Sequence, residues 1–493
     1  MAGMQTALIV YVSVLVLVGA WRSRRVRTGD DFLVAGRRLP ARVLVFTLLA
    51  TWVGSGSLFA GAGLGYRSGF SALWQSAGAW AGIALVYFIA PRVRRIAQYT
   101  VPDILELRYG PWARVLGTLT TVLAYATIAA YQFRGGGRLL ALVAGVDPDT
   151  GALITAIFCI FFTSLAGMLS IAYLDVGNGL VMTIAVMFGV AFLVGDAGGL
   201  SASLAALEPH QVSLFGDMGA QAAFALFLPT MFLLLGEANM YQKFFSARDE
   251  RAARLAVVGW IVGTIVVETL IDSTGIFGSL ALGGLGVDES EEIVIRVATD
   301  VLPPAFGVLL VCGAAAIVVS TANSFLLTPS TNLIRDVYQR FLNPAATDRQ
   351  LVLRTRVIVV VVGVLGYVVG NFFPTILAMA LWAYTMYGAG ITPALLGALL
   401  WKRATRAGGV ASILVGMLTT LVWEIVGMAW AVDGDPVHVF GWQTPFLNGD
   451  PVYIWGLQTA YPALTLSIAT LVAVSLLTPP PTRAEVELRP AAP

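Results

Sequence analysis

Residues 50–66 read ATWVGSGSLFAGAGLGY, inside an apolar run that begins near Val43 and is long enough to cross a bilayer. Five of these seventeen residues are Gly and two are Ser. A helix that only has to sit in lipid is better served by Leu, Ile and Val, because Gly is costly in a helix interior and lets the backbone leave helical geometry. In lipid, freed N–H and C=O groups persist only where protein or a water-filled cavity satisfies them. Two readings stand open from this stretch alone. Either the glycines let another helix approach closely, or the span is broken and its backbone binds something.

The rest of the composition settles the class. The chain has 493 residues, 58% of them hydrophobic and only 12% charged, with mean hydropathy +0.81, which excludes a soluble domain of this size. It reads as an all-α integral membrane protein. Cys159 and Cys312 both lie in apolar runs, and His210 and His438 fall in polar connections without partners at ligand spacing. Neither pair suggests a disulfide framework, a metal centre or a catalytic base. There is no Walker motif to drive an ATP-fuelled pump, and no nucleophile–base pair within the spans, so an enzyme is not expected. The cluster Arg22, Arg24, Arg25 and Arg27 follows the first apolar segment, the reverse of a signal peptide.

A window of about 20 residues finds about thirteen candidate spans. Their cores are 4–21, 43–66, 71–90, 112–133, 150–169, 176–195, 219–237, 254–280, 304–330, 354–373, 375–400, 408–431 and 456–478. With the N-terminus outside and the C-terminus cytoplasmic, the segments after odd-numbered spans hold 26 of the 30 Lys and Arg, Lys243 among them. Only Arg67, Arg134, Arg138 and Arg296 fall outside, which is the segregation that the positive-inside rule demands. The connection between spans five and six carries no basic residue. Residues 288–300 have the rhythm of a short acidic surface helix, and the Pro-rich tail 479–493 reads as disordered.

Acidic residues inside a membrane are costly and mark function by default. Asp175 opens span six, as a cytoplasmic helix cap or as a carboxylate beside a cation path. Glu237 follows Gly236 where span seven looks interrupted, either near mid-membrane or already at the cytoplasmic interface. Glu268 and Asp272 are four residues apart on one face of span eight, beside a vestibule or at the outer edge. Glu424 in span twelve has no assigned role. On span nine, Ser320, Thr321 and Ser324 put three hydroxyls on neighbouring positions of one face. A hard monovalent cation such as Na⁺ takes neutral oxygen ligands of this kind, although the same hydroxyls can bond the preceding helical turn.

Taken in order, the segments DFLVAGRRLP (31–40), ATWVGSGS (50–57), VPDILELRYG (101–110), AYLDVGNGL (172–180), GEANMYQKFF (236–245) and STANSFLLTPSTNLIRDVYQRF (320–341) resemble the sodium:solute symporter family. Its members carry sugars, proline, sialic acid, vitamins and choline. The resemblance implies a 5+5 inverted-repeat core similar to that of the leucine transporter, with broken helices in spans two and seven. The chain would divide into a first helix and loop (1–42), repeat one (43–195), repeat two (196–405), two peripheral helices (406–478) and the tail.

Carried over by motif, Na⁺ would be held by the carbonyls of Ala50, Val53 and Ile317 and by Ser320 and Thr321, with Ser324 in a second Na⁺ site and Asp175 near the ion's inward route. Solute would lie near Thr51, Trp52, Ser55, Ser57, Trp74, Gln75, Glu237, Asn239, Tyr241, Trp382, Tyr384 and Tyr387. Glu237 departs from the family's neutral amide, Lys243 from its Arg, and Trp52 stands where proline carriers have an acid. The resulting expectation is a secondary transporter in the plasma (inner) membrane that couples inward Na⁺ flow to uptake of a small organic solute. Its partners are that solute and the lipid bilayer, with no nucleic acid and an open oligomeric state, a monomer included. Proton coupling is the alternative, and a membrane solute sensor a more distant one.

Overall fold

The computed structural model describes residues 2–23, 29–96, 98–430, 437–439, 442–444 and 457–482. Apart from one short antiparallel pair, Val437–Val439 with Trp442–Thr444, the regular structure among them is helical. Eleven helical segments are long and apolar enough to cross a membrane, and Gly3–Gly19 and Ala41–Trp52 are shorter apolar helices. Each expected span core overlaps a helix; parts of the 432–455 connection and residues 483–493 of the tail lie outside the described residues.

Span two consists of Ala41–Trp52 and, after a break, Gly56–Gly61 and Ala62–Ser68. Span three is Leu73–Ile96 and span four Pro111–Ala144. Spans five and six form one run, Pro148–Asp196, divided only at Gly167 (φ 68°, ψ 167°). The connection expected near 170–175 is therefore helical, and the turn comes earlier. Only glycine fits there, because φ is positive and a methyl group would lie 2.6 Å from the Phe32 ring. Span seven is Gly219–Gly236 and Ala238–Ser246, interrupted at Glu237. Pro229 sits inside its first half without ending it. Span eight is Glu250–Ala281, span nine Pro304–Asn332 continuing to Leu342, and span ten Asp348–Gly370. Span eleven is Ile376–Gly390 with Thr392–Leu400, and spans twelve and thirteen are Arg406–Trp430 and Ala460–Leu477.

Span nine packs against spans four and six, and span eight against spans two and three. The second half of span two lies very close to span eight. A methyl on Gly65 would meet the Asp272 carbonyl oxygen at 2.7 Å, and one on Gly275 would meet the Ala62 carbonyl oxygen at 1.9 Å. The glycines after the break thus serve close helix packing. The segment entering span two is tied to the segment leaving span seven through Leu39 N to Ser246 O (3.0 Å) and Arg248 N to Leu39 O (3.1 Å).

Two charged stretches differ from expectation. Residues 288–300 are not a surface helix: Ser290, Glu291 and Ile293 are buried, Glu291 pairs with Arg138 at 2.7 Å, and it accepts the Ile376 and Leu377 amides that open span eleven. At the Leu342 end of span nine, the Arg114 guanidinium joins Asp103, Glu106 and Asp336. Thr100 adds a 2.8 Å bond to Asp336, and Arg340 reaches Glu106 at 2.8 Å. A cleft of about 460 Å³ opens beside this cluster, bounded by Gln98, Arg335 and Arg340.

Candidate functional site

The break in span two decides the geometry. After Trp52 the chain turns extended at Val53 (φ −70°, ψ 103°) before helix resumes at Gly56. The carbonyls of Ala50 and Val53 meet hydroxyls of span nine. Ser320 Oγ donates to Ala50 O at 2.8 Å, and Thr321 Oγ1 lies 3.0 Å from Val53 O and 3.3 Å from Ala50 O. Ile317 is buried one turn before Thr321 on the same face. Ser320 Oγ is also 2.6 Å from Asp175 Oδ1, while Asp175 Oδ2 accepts from Thr47 Oγ1 at 2.5 Å. Ser320 has one proton for two acceptors. Asp175 is no helix cap: it lies inside span six, 1% exposed, because the turn falls at Gly167. Carbonyl, hydroxyl and carboxylate oxygens from spans two, six and nine thus converge, a donor set that suits a hard cation.

One turn further along span nine, Ser324 Oγ lies 2.9 Å from Thr51 Oγ1, which also accepts from Lys243 Nζ at 2.5 Å. Lys243 is fully buried in the second half of span seven. Assigning it to a cytoplasmic loop is therefore wrong, because the helix continues past the interruption to Ser246.

The break in span seven is held by its own side chains. Glu237 is fully buried within the protein. Its carboxylate caps the following helix, accepting from Asn239 N (3.3 Å) and Met240 N (2.9 Å), and it accepts the Tyr125 hydroxyl. Tyr387 donates to Gly236 O and Tyr241 to Leu235 O, each at 2.8 Å, and the Thr328 hydroxyl bonds Asn239. Carbonyls freed by the interruption are satisfied by protein, as a membrane interior requires.

A third cluster faces the same break in span two from span eight. Glu268 Oε1 accepts from Trp52 Nε1 (2.8 Å) and Ser57 Oγ (3.2 Å), and Oε2 from Trp80 Nε1 (3.1 Å). Asp272 Oδ2 accepts from Ser76 Oγ at 2.8 Å. The Tyr384 ring lies 5.9 Å from Trp52, and its hydroxyl 3.3 Å from that of Tyr131. Gln132 Oε1 accepts the Ser55 amide at 2.8 Å. Among the described residues, the buried atoms Ser55 Oγ, Gln75 Oε1, Gln132 Nε2 and Asp272 Oδ1 have no hydrogen-bond partner.

Three expected residues do not join these clusters, the buried Gln75 among them, whose Oε1 has no hydrogen-bond partner among the described residues. Trp74 donates to Leu214 O and stacks on Phe215, 5.4 Å away, and Trp382 packs on Phe373. Conversely, Thr47, Tyr125, Gln132, Trp80 and Glu268 enter the clusters without having been singled out as ligands. Glu268 carried a signal, its four-residue spacing from Asp272, but its three donors come from two other spans.

Apolar helices, two of them interrupted where hydroxyls and acids of other helices meet the freed backbone, define a secondary transporter. The chain belongs to the sodium:solute symporter family, whose model matches residues 32–416. It is 26% identical to the high-affinity proline transporter PutP of Bacillus subtilis (strain 168), covering 84% of this chain and 91% of that one. It is likewise 26% identical to a sodium/proline symporter of Salmonella typhimurium, covering 88% and 90%. Among solved structures, its fold is similar to that of a Na⁺-coupled sialic acid symporter in a substrate-bound outward-open state (TM-score 0.75, 16% identity, 97% and 98% covered). It is also similar to a closed nucleobase-cation-symport-1 family transporter (TM-score 0.53, 14% identity, 93% and 97% covered).

Proposed function

We propose that the chain couples inward Na⁺ flow to uptake of a small organic solute by alternating access. The observation that carries this reading is the meeting of Ser320 and Thr321 with the Ala50 and Val53 carbonyls at the break in span two. Na⁺, as the co-transported ion, would take the oxygens of Ala50, Val53, Ile317, Ser320 and Thr321. Asp175 supplies the nearby negative charge, and Ser324 belongs to a further cation position. Solute binds between the breaks of spans two and seven. The thirteen crossings, the division into repeats 43–195 and 196–405, and the N-outside orientation are part of the same proposal. Each entering Na⁺ releases about 2.3 kcal/mol per 100 mV of membrane potential, before any concentration gradient.

The test is solute uptake into proteoliposomes under an inward Na⁺ gradient, against an equal K⁺ gradient and a pH gradient without Na⁺. Uptake is expected only with Na⁺. Accumulation that follows the pH gradient in Na⁺-free buffer would replace this reading with proton coupling.

A further inference from the structure

Lys243 is 0% exposed and among the largest fully buried side chains of the protein. A lysine in a membrane protein ordinarily extends its ammonium towards water. Here the ammonium instead points across to the break in span two, where Nζ donates to Thr51 Oγ1 at 2.5 Å. None of the ion pairs among the described residues includes it. The acids whose charges act on it are Asp175 and Glu237, both buried.

The oxygens around the ammonium are arranged in two levels. Thr51 Oγ1 lies 2.9 Å from Ser324 Oγ, which is one turn beyond Ser320 on span nine. Thr51 is likewise one turn beyond Thr47 on span two, and Thr47 and Ser320 both donate to Asp175. The first level, Thr47 and Ser320, thus meets a carboxylate and the freed Ala50 carbonyl. The second level, Thr51 and Ser324, already holds a positive group. A lysine ammonium is a compact point charge on a flexible stem, and it is drawn to the same neutral oxygens as a small monovalent cation.

Charge balance points the same way. Glu237 accepts two backbone amides and the Tyr125 hydroxyl, and Asp175 accepts two hydroxyls, so both are hydrogen-bonded as carboxylates. Two carboxylates and one ammonium leave a single negative charge, which one Na⁺ neutralises. A second Na⁺ would leave this part of the interior net positive, and an uncompensated buried charge is strongly destabilising.

We propose that the Lys243 ammonium itself fills the further cation position beside Thr51 and Ser324, so that the protein binds a single Na⁺. This rests on the Na⁺-symport reading above and assigns its ion count.

The test is equilibrium binding of radiolabelled Na⁺ to the purified full-length protein in N-methylglucamine buffer at neutral pH. The wild-type protein is expected to bind one Na⁺ per chain along a simple hyperbola. Lys243→Met and Lys243→Gln, which remove the charge, should bind two. Adding Ser324→Ala to either should return the count to one. A lysine that only braces the helix would leave the count unchanged. A rise in melting temperature with Na⁺ reports that each variant is folded. A wild-type count of two overturns the inference whatever the variants do, and so does a count of one in either folded charge-removed variant; in both cases the Na⁺ reading stands. If the wild-type protein binds no Na⁺, the symport reading falls and this inference with it.

Discussion

Replacing Ser320 by Ala removes one oxygen from the proposed Na⁺ cage and one donor from a buried acid. The hydroxyl lies 2.8 Å from Ala50 O and 2.6 Å from Asp175 Oδ1, while Asp175 retains Thr47 at 2.5 Å. A hydrogen bond to a charged group contributes about 1.5–3 kcal/mol. Loss of a cation ligand at the same atom falls on the ion-bound state alone. An effect of that size on Na⁺ affinity corresponds to a roughly 10- to 150-fold rise in the half-saturating concentration. The assay is the melting temperature of purified protein titrated with NaCl at constant ionic strength, N-methylglucamine replacing Na⁺. Each variant is compared with itself with and without Na⁺, so a general loss of stability cancels. Ser320→Ala should move the half-point by that factor. Thr47→Val, which also removes a donor from Asp175 but does not touch Ala50 or Val53, should move it less. An unchanged half-point in Ser320→Ala would refute the placement of the cation between spans two and nine.

Two further outcomes follow from the packing and from Glu106, which lies on the short helix Val101–Tyr109 between spans three and four. In Gly275→Ala the new methyl would sit 1.9 Å from the Ala62 carbonyl oxygen and 2.7 Å from its carbon, so spans two and eight must part. Overpacking of this kind costs about 1–3 kcal/mol; the melting temperature should fall while the Na⁺ half-point stays within about twofold, and an unchanged melting temperature contradicts the contact. At Glu106, burial pushes the carboxyl up, but hydrogen bonds from Arg114 and Arg340 outweigh it and hold it below its ordinary 4.5. Its stabilising share is then complete above that value and lost as pH falls through the lowered one. Melting curves should decline more steeply with acid in the wild-type protein than in Glu106→Gln, and parallel profiles would exclude the effect.

Local chemistry was readable from the sequence, and long-range partnership was not. The glycines of 50–66 marked both the break and the close packing, because each leaves a local compositional trace. The hydroxyls at 320, 321 and 324 declared a shared face through spacing alone. Lys243 was misplaced because a charge-segregation rule assigns basic residues beyond an apolar core to the loop, whereas here the helix resumes after Glu237 and carries the ammonium inward. Asp175 was read both ways because nothing in the sequence put the turn at Gly167 rather than beside the acid. The donors to Glu268 lie 216, 211 and 188 residues away in sequence, beyond any periodicity. Trp74 and Trp382 show the opposite failure: an aromatic at helical spacing can equally face a neighbouring ring at the bundle's edge.

The Arg114 cluster also has a mechanical side. It grips span nine at Asp336, sixteen residues beyond Ser320, through a guanidinium that also holds Asp103 and Glu106. At 1.5 Å of rise per residue, that is a lever arm of about 24 Å. With one end clasped, a tilt of about 5° moves Ser320 by about 2 Å, enough to part it from the Ala50 carbonyl. A rotation too small to disturb the side-chain packing along most of the rod would thus be amplified into making or breaking the proposed cation ligands at its far end.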